Sequence, residues 1–275
     1  MALKSAVINV MEMAAQKAGR KLNRDFGEVE KLQVSRKGPA DFVTSADLKA
    51  EKTIKEELFK ARPNIALLLE EEGEINLGDG SGRWIVDPLD GTTNFLHGIP
   101  HFCISIALEQ NGEITAAVIY NPITDETYWA EKGRGAFLND MKIRVSARRN
   151  MTDSLLATGI PFHGTPGHKP FIHNLDVIMG EVSGVRRFGS AALDLAYVAA
   201  GKYEGYWEEN LQKWDIAAGI LLVREAGGSV TTFNGKNKAY ETGEILATNG
   251  VIHGPLTRLL AQGRKATKEA EDTSK

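Results

Sequence analysis

The sequence predicts a mixed α/β protein, and three observations carry that prediction. Several segments repeat apolar residues at helical spacing. Short apolar runs stop abruptly at turn residues or at acids. Three further runs follow one another across Asn111-Gly112 and Asn121-Pro122, the pattern of an antiparallel meander. No internal repeat and no stretch rich in Gly, Ser or Pro divides the 275 residues into independent domains.

In chain order, residues Ala6 to Leu22 place Val7, Val10, Met11, Ala14, Ala15 and Ala18 on one face, which predicts an opening helix. Val29 to Arg36 reads as a strand and Lys37 to Ala40 as a turn. A second helix starts near Thr44 or Ser45 and ends before Pro63. Asn64 to Leu69 is a short strand that runs into the acids Glu70 to Glu72. After the strand that ends at Val86, the runs Phe102 to Leu108, Ile114 to Tyr120 and Thr127 to Glu131 form the meander. Ser154 to Gly159 is a strand and Pro170 to Met179 a helix. Ser190 caps a helix that runs to Ala200, and Tyr203 to Trp207 is a strand ending at Glu208. Trp214 to Ala226 is an apolar helix closed by Gly227-Gly228. Strands Ser229 to Phe233 and Ile245 to Thr248 follow, then a helix from Pro255 to Gln262 and a charged tail expected to fray.

The most informative stretch is Trp84-Ile-Val-Asp-Pro-Leu-Asp-Gly-Thr-Thr-Asn-Phe95. A buried strand meets Asp87 and Asp90, with Pro88 forcing the chain to break where the acids sit. Gly91 allows a sharp turn, and Thr92, Thr93 and Asn94 are residue types that begin helices. Carboxylates bind hard divalent cations, and main-chain N–H groups at a helix start bind phosphate oxygens. Glu70 also ends a strand, and Asp47 and Asp215 each sit at a helix start. Taken singly, such acids are explained by helix dipoles or surface turns; their joint occurrence at element boundaries points to phosphoryl chemistry.

Composition narrows the classes. With 33 basic and 36 acidic residues the net charge is −3, which argues against non-specific nucleic-acid binding. The one cysteine, Cys103, excludes an internal disulfide and reads as an inert buried thiol. No signal-like or membrane-spanning apolar stretch stands out, so a cytoplasmic location is expected.

Trp84 to Phe95, together with Trp214-Asp-Ile-Ala-Ala-Gly219 and Glu225-Ala-Gly-Gly228, resembles the two signatures of the inositol monophosphatase family. The resemblance extends over Asp41-Phe-Val-Thr44 with Asp47, Glu70-Glu71 and Gly189-Ser-Ala-Ala192. It implies a layered αβαβα sandwich of the inositol monophosphatase and fructose-1,6-bisphosphatase type. That is one domain over 1–275, with a larger mixed-sheet half to about 150, a smaller half over 151–265 and a disordered tail over 264–275. It also implies a homodimer.

The resemblance further implies two or three Mg²⁺ ions. Glu70, Asp87 and the Leu89 carbonyl match the ligands of one, and Asp87, Asp90 and Asp215 those of a second, with Glu70 contributing to a third. Asp47 and Thr92 match a pair that activates the attacking water. The N–H groups of Gly91 and Thr92 would hold the phosphate. Gly189, Ser190, Ala191, Glu208 and Asp90 match contacts to a small phosphorylated polyol.

The implied reaction is Mg²⁺-dependent hydrolysis of an inositol phosphate, with inhibition by Li⁺. Other family substrates are fructose 1,6-bisphosphate, histidinol phosphate and 3′-phosphoadenosine nucleotides. Phosphatases that form an aspartyl phosphate carry two aspartates two residues apart, whereas Asp87 and Asp90 are three apart across a proline. A reading of another class is an adaptor that keeps the fold and works by binding partners, for example in regulatory RNA–protein machinery. Glu72 is expected to be solvated, His97 and His101 to serve loop or core, and Arg186 and Arg187 to reach a substrate phosphate or a dimer partner, or to be a solvated pair.

Overall fold

The computed structural model describes residues 3–26, 34–38, 41–76 and 80–273. The chain opens with α1 (Ala6–Phe26), the pair β1 (Val34–Gly38) and β2 (Asp41–Thr44), and α2 (Ser45–Ala61). Then come β3 (Ala66–Leu69), β4 (Gly73–Ile75), β5 (Arg83–Asp90) and the single-turn α3 (Thr92–Leu96). The meander is β6 (Cys103–Gln110), β7 (Glu113–Asn121), β8 (Glu126–Glu131), β9 (Gly135–Leu138) and β10 (Met141–Ile143). The second half holds β11 (Leu155–Thr158), α4 (His168–Met179), β12 (Gly184–Arg186), α5 (Ala191–Ala199) and β13 (Gly205–Glu208). It closes with α6 (Lys213–Glu225), β14 (Ser229–Thr231), α7 (Ala239–Thr242), β15 (Ile245–Thr248) and α8 (His253–Thr273).

These elements stack in five layers. An eight-stranded sheet, ordered β10-β9-β8-β7-β6-β5-β3-β4, has α1 and α2 on one face and α5 and α6 on the other. A five-stranded sheet, β12-β11-β13-β15-β14, covers the far side of α5 and α6, and α4 pairs with α8 on its outer face. The expected αβαβα sandwich is therefore the observed fold. Strand periodicity assigns each residue to a layer. Trp84 and Val86 point to α1 and α2, while Ile85 points to α5 and α6. Asp87, two residues after Ile85, falls on the α6 side. Val86, Phe95 and Ile104 are fully buried, each stabilising by roughly 1.5–3 kcal/mol. Phe26, Phe95 and Phe102 interlock at ring separations of 5.1 to 5.6 Å behind the acidic corner and give it a firm floor.

Several boundaries differ from the sequence reading, each for a physical reason. The expected strand start at Val29 lies outside the described residues, and β1 runs on through Lys37 and Gly38. The strand carrying the acids does not stop at Val86 but continues to Asp90. Its register against β6 slips between Asp87, opposite Ser105, and Asp90, opposite Cys103. Pro88 has no N–H for the ladder, so the chain bulges there and resumes pairing. The expected fraying tail is instead the last part of α8, which reaches Thr273. It is anchored there by the ring of His173 against the Thr267 hydroxyl at 2.9 Å.

Candidate active site

β5 delivers both acids to one cleft. Asp87 is 2% exposed, and its Oδ1 accepts the Leu89 N–H at 2.9 Å, which tightens the bulge. Gly91 closes the corner at φ +101, where a Cβ would stand 3.0 Å from the His101 carbonyl; only glycine fits both constraints. Gly91, not a threonine, is the cap residue of α3, and no side chain caps that helix. This leaves the Thr92 hydroxyl free to bond elsewhere. It lies 3.1 Å from Asp47 Oδ1 and 3.0 Å from the Leu89 carbonyl.

Asp47 is a helix-start acid and a site residue at once. Its Oδ2 accepts the Thr44 N–H at 2.9 Å and the Thr44 hydroxyl, a capping box that begins α2. Its Oδ1 is thereby aimed at Thr92. Asp47 is fully buried behind Thr92, outside the cleft wall. Burial raises its proton affinity, and the Thr44 and Thr92 bonds oppose that.

The second half supplies the opposite wall. Ser190 precedes α5 as expected, yet its hydroxyl makes no cap bond. It donates instead to Asp90 Oδ2 at 2.7 Å, and Ala192 N donates to the same oxygen at 2.7 Å. Asn94, buried on α3, gives its amide to the Phe188 carbonyl at 2.7 Å and to the His101 carbonyl at 2.8 Å. Asp215 begins α6, with Oδ2 accepting the Gln212 N–H at 2.6 Å. On β13, Tyr206 donates to Glu208 Oε2, and Gly159 leaves the space that the Glu208 carboxylate fills.

Glu70, Asp87, Leu89, Asp90, Gly91, Thr92, Gly189, Ser190, Ala191, Glu208 and Asp215 all line a single cleft of about 590 Å³. Every site residue expected from the sequence thus lies in this cleft, except Asp47, which reaches it through Thr92. Thr158, Asp194 and Glu209 also line it and were not anticipated. Asp194 follows the motif residue Ala191 by three positions on α5, a helical spacing that marks its face only once α5 is placed. Arg187 lines the cleft and draws down the proton affinity of Glu208 and Asp194, whereas exposed Arg186 does not line it.

The cleft is strongly anionic. Burial, then the charges of Glu70, Asp90 and Asp215, push Asp87 well above the usual carboxylate range. Burial raises Asp215 well up too, with Asp90 the next cause. Asp90 rises to about 6 through burial, against the pull of Ser190 and the N–H groups of Ala191 and Ala192. Glu208 rises to about 7, again through burial first.

The side residues fall into place. Cys103 is buried, and burial raises its thiol well above the ordinary range, so it is no nucleophile. His97 is exposed and His101 is half-buried against Phe188 and Tyr197, its proton affinity lowered by burial to about 4. Glu72 is exposed but bonded to Lys55. Among the described residues no helix is long and apolar enough to cross a membrane.

Residues 3–268 match the model of the inositol monophosphatase family. The chain belongs to the inositol monophosphatase family. An inositol-1-monophosphatase of Rhizobium meliloti is 58% identical over 257 residues, covering 94% of this chain and 97% of the relative. The crystal structure of extragenic suppressor protein suhB from Bartonella henselae superposes with a TM-score of 0.92 at 60% identity, covering 94% of this chain and all of that one. The Nus factor SuhB of Escherichia coli K12 is 42% identical, over 88% of this chain and 91% of the relative.

Inositol monophosphatases are phosphatases and generally depend on metal ions, and the donor set here suits that chemistry. It is all oxygen, as hard divalent cations prefer, without thiolate or imidazole among its members. Among the described residues no three acids are gathered into a ready-made cage; Asp87, Asp90 and Asp215 each lean on a neighbouring N–H or O–H donor. Yet mutual repulsion in a buried cleft is the electrostatic condition that a cation relieves. Glu70, Asp87, Asp90, Asp215 and the Leu89 carbonyl are the groups able to hold one.

Proposed function

We propose that this inositol monophosphatase family member hydrolyses the phosphate monoester of a small polyol, myo-inositol 1-phosphate foremost, using Mg²⁺ and water. The observation that carries the reading is the Asp47–Thr92 hydrogen bond standing beside a cleft lined by Glu70, Asp87, Asp90 and Asp215, with neither cysteine nor histidine among its lining residues. Close similarity to chains named inositol-1-monophosphatase supports the substrate.

In this reading Glu70, Asp87, Leu89, Asp90 and Asp215 hold two or three Mg²⁺ ions. When bound, such ions neutralise the ester, lower the pKa of a water and steady the leaving oxygen. The chain's own residues orient the attack. Thr92 has one hydroxyl proton, directed to Asp47 or to the Leu89 carbonyl, so toward a cleft water it acts as an acceptor. Asp47, with its proton affinity raised by burial, draws on that proton and strengthens Thr92 as an acceptor. The N–H groups of Gly91 and Thr92 hold the phosphate. The Gly189–Ala191 segment, Glu208 and Asp90 bind the polyol hydroxyls. The two halves act as one unit, because Asp90 and Asn94 are bonded across them.

The test is phosphate release from myo-inositol 1-phosphate, with and without Mg²⁺, in wild type and Asp90→Asn. Release that requires Mg²⁺ and is lost in the variant supports the reading. Release only from fructose 1,6-bisphosphate, histidinol phosphate or a 3′-phosphoadenosine nucleotide would keep the chemistry and replace the substrate. Li⁺ inhibition and a homodimer in solution belong to the same proposal, read by dose response and light scattering. The Nus factor SuhB relatives support a second reading, a role through partner binding. It would lead if Asp87→Asn abolished phosphatase activity but left cellular function intact.

A further inference from the structure

We propose that Glu51 is a positioning residue that sets the orientation of Glu70; the proposal rests on reading Glu70 as a metal-facing carboxylate. Glu51 lies on α2 one turn after Asp47, so the two project from the same face. Asp47 reaches Thr92, and Glu51 reaches the turn after β3. Its Oε2 accepts the Glu71 N–H at 2.8 Å and its Oε1 the Glu72 N–H at 3.0 Å. One turn further on, Lys55 pairs with the Glu72 carboxylate. On the other side, the Glu70 N–H donates to the Val86 carbonyl of β5 at 3.2 Å. The main chain is thus held on both sides of the Glu70 side chain.

An acid is a costly choice at this position. Glu51 is 1% exposed, and burial together with the charges of Glu71 and Glu72 works against its ionised form. Glutamine would avoid that cost if packing alone were required. It has only one acceptor oxygen, however, and its NH₂ would face an N–H. A carboxylate alone accepts from both main-chain donors, so the residue type matches the task of fixing the turn. Asp47 and Glu51 together make α2 the support for two separate parts of the cleft.

The experiment uses the full chain carrying Glu51→Gln, with Glu70→Gln as reference. Mg²⁺ and Mn²⁺ binding to the substrate-free protein is measured by calorimetry, and thermal unfolding verifies the fold. Support of a metal ligand from behind typically accounts for 10- to 100-fold in affinity, so Glu51→Gln is expected to weaken cation binding by about tenfold. Turnover at saturating Mg²⁺ should stay within about threefold of wild type, because the loss is one of binding. Wild-type cation affinity in folded Glu51→Gln, with binding weakened in Glu70→Gln, overturns the positioning role and leaves the Glu70 reading standing. Wild-type affinity in Glu70→Gln overturns both. Should Glu51→Gln not fold, Glu51→Asp, which keeps the charge but falls a methylene short, carries the same expectation. Rapid amide exchange at both Glu71 and Glu72 in the wild type would also overturn the proposal.

Discussion

The Ser190 hydroxyl donates to Asp90 Oδ2 at 2.7 Å although the two residues are 100 positions apart in the chain. This bond ties the acidic corner of β5 to the start of α5 and lowers the proton affinity that burial raises in Asp90. A hydrogen bond to a charged group contributes about 1.5–3 kcal/mol. Ser190→Ala should therefore reduce kcat/KM by roughly 10- to 100-fold. Steady-state kinetics checks this, and an unchanged kcat/KM would show that Ala192 N alone suffices.

Thr92 contributes a hydroxyl, and the shape of its side chain matters less. Thr92→Ser retains the bond to Asp47 and should keep turnover within about tenfold. Thr92→Val preserves volume but removes the hydroxyl, and kcat should fall by about 10²- to 10⁴-fold, as for loss of a proton-handling group. Equal losses in the two variants would mean that packing, not the hydroxyl, is what the site requires.

A Cβ at Gly159 would lie 1.8 Å from Glu208 Oε1. Gly159→Ala must therefore push the Glu208 carboxylate out of its slot beside Tyr206. The expected result is a KM for the polyol phosphate raised about tenfold or more, with a smaller change in kcat, because the proposed reading has Glu208 bind the polyol and not the phosphorus. A crystal structure or a kcat-against-KM comparison decides it.

Burial pushes the Glu208 carboxyl up to about 7 in the folded protein from an ordinary value of 4.5. Its raised value means that the folded state binds the proton more tightly than the unfolded state. The associated stability is fully present below about pH 4.5 and is lost as pH rises through 7. The loss is at most roughly 3–4 kcal/mol, an upper bound because solvent reaches part of the side chain. In the presence of a chelator the Tm should fall between pH 5 and pH 8, and Glu208→Gln should flatten that fall. A chelated wild type whose Tm rises over this range would contradict the assignment.

Much of the site was legible before the fold was known, because its parts are local. Asp87, Pro88, Asp90 and Gly91 form a rigid corner by their own dihedral limits, and Asp47 and Asp215 announce helix starts. The readings that changed were those in which local preference met a distant partner. Ser190 has the side chain of a cap, but Asp90 takes its hydroxyl. The tail after Gln262 is polar enough to fray, yet α4 lies alongside and the helix continues.

The sequence by itself determined the order of helices and strands, the acidic corner and the residue types able to hold cations and phosphate. These follow from side-chain periodicity and from the geometry of proline and glycine, which act within a few residues. Only the tertiary structure decided which carboxylates share one cleft, that Glu51 holds the turn behind Glu70, and that Gly159 leaves room for Glu208. Those relations depend on sheet register and on layers packing against one another. They join residues whose spacing along the chain carries no trace of their contact.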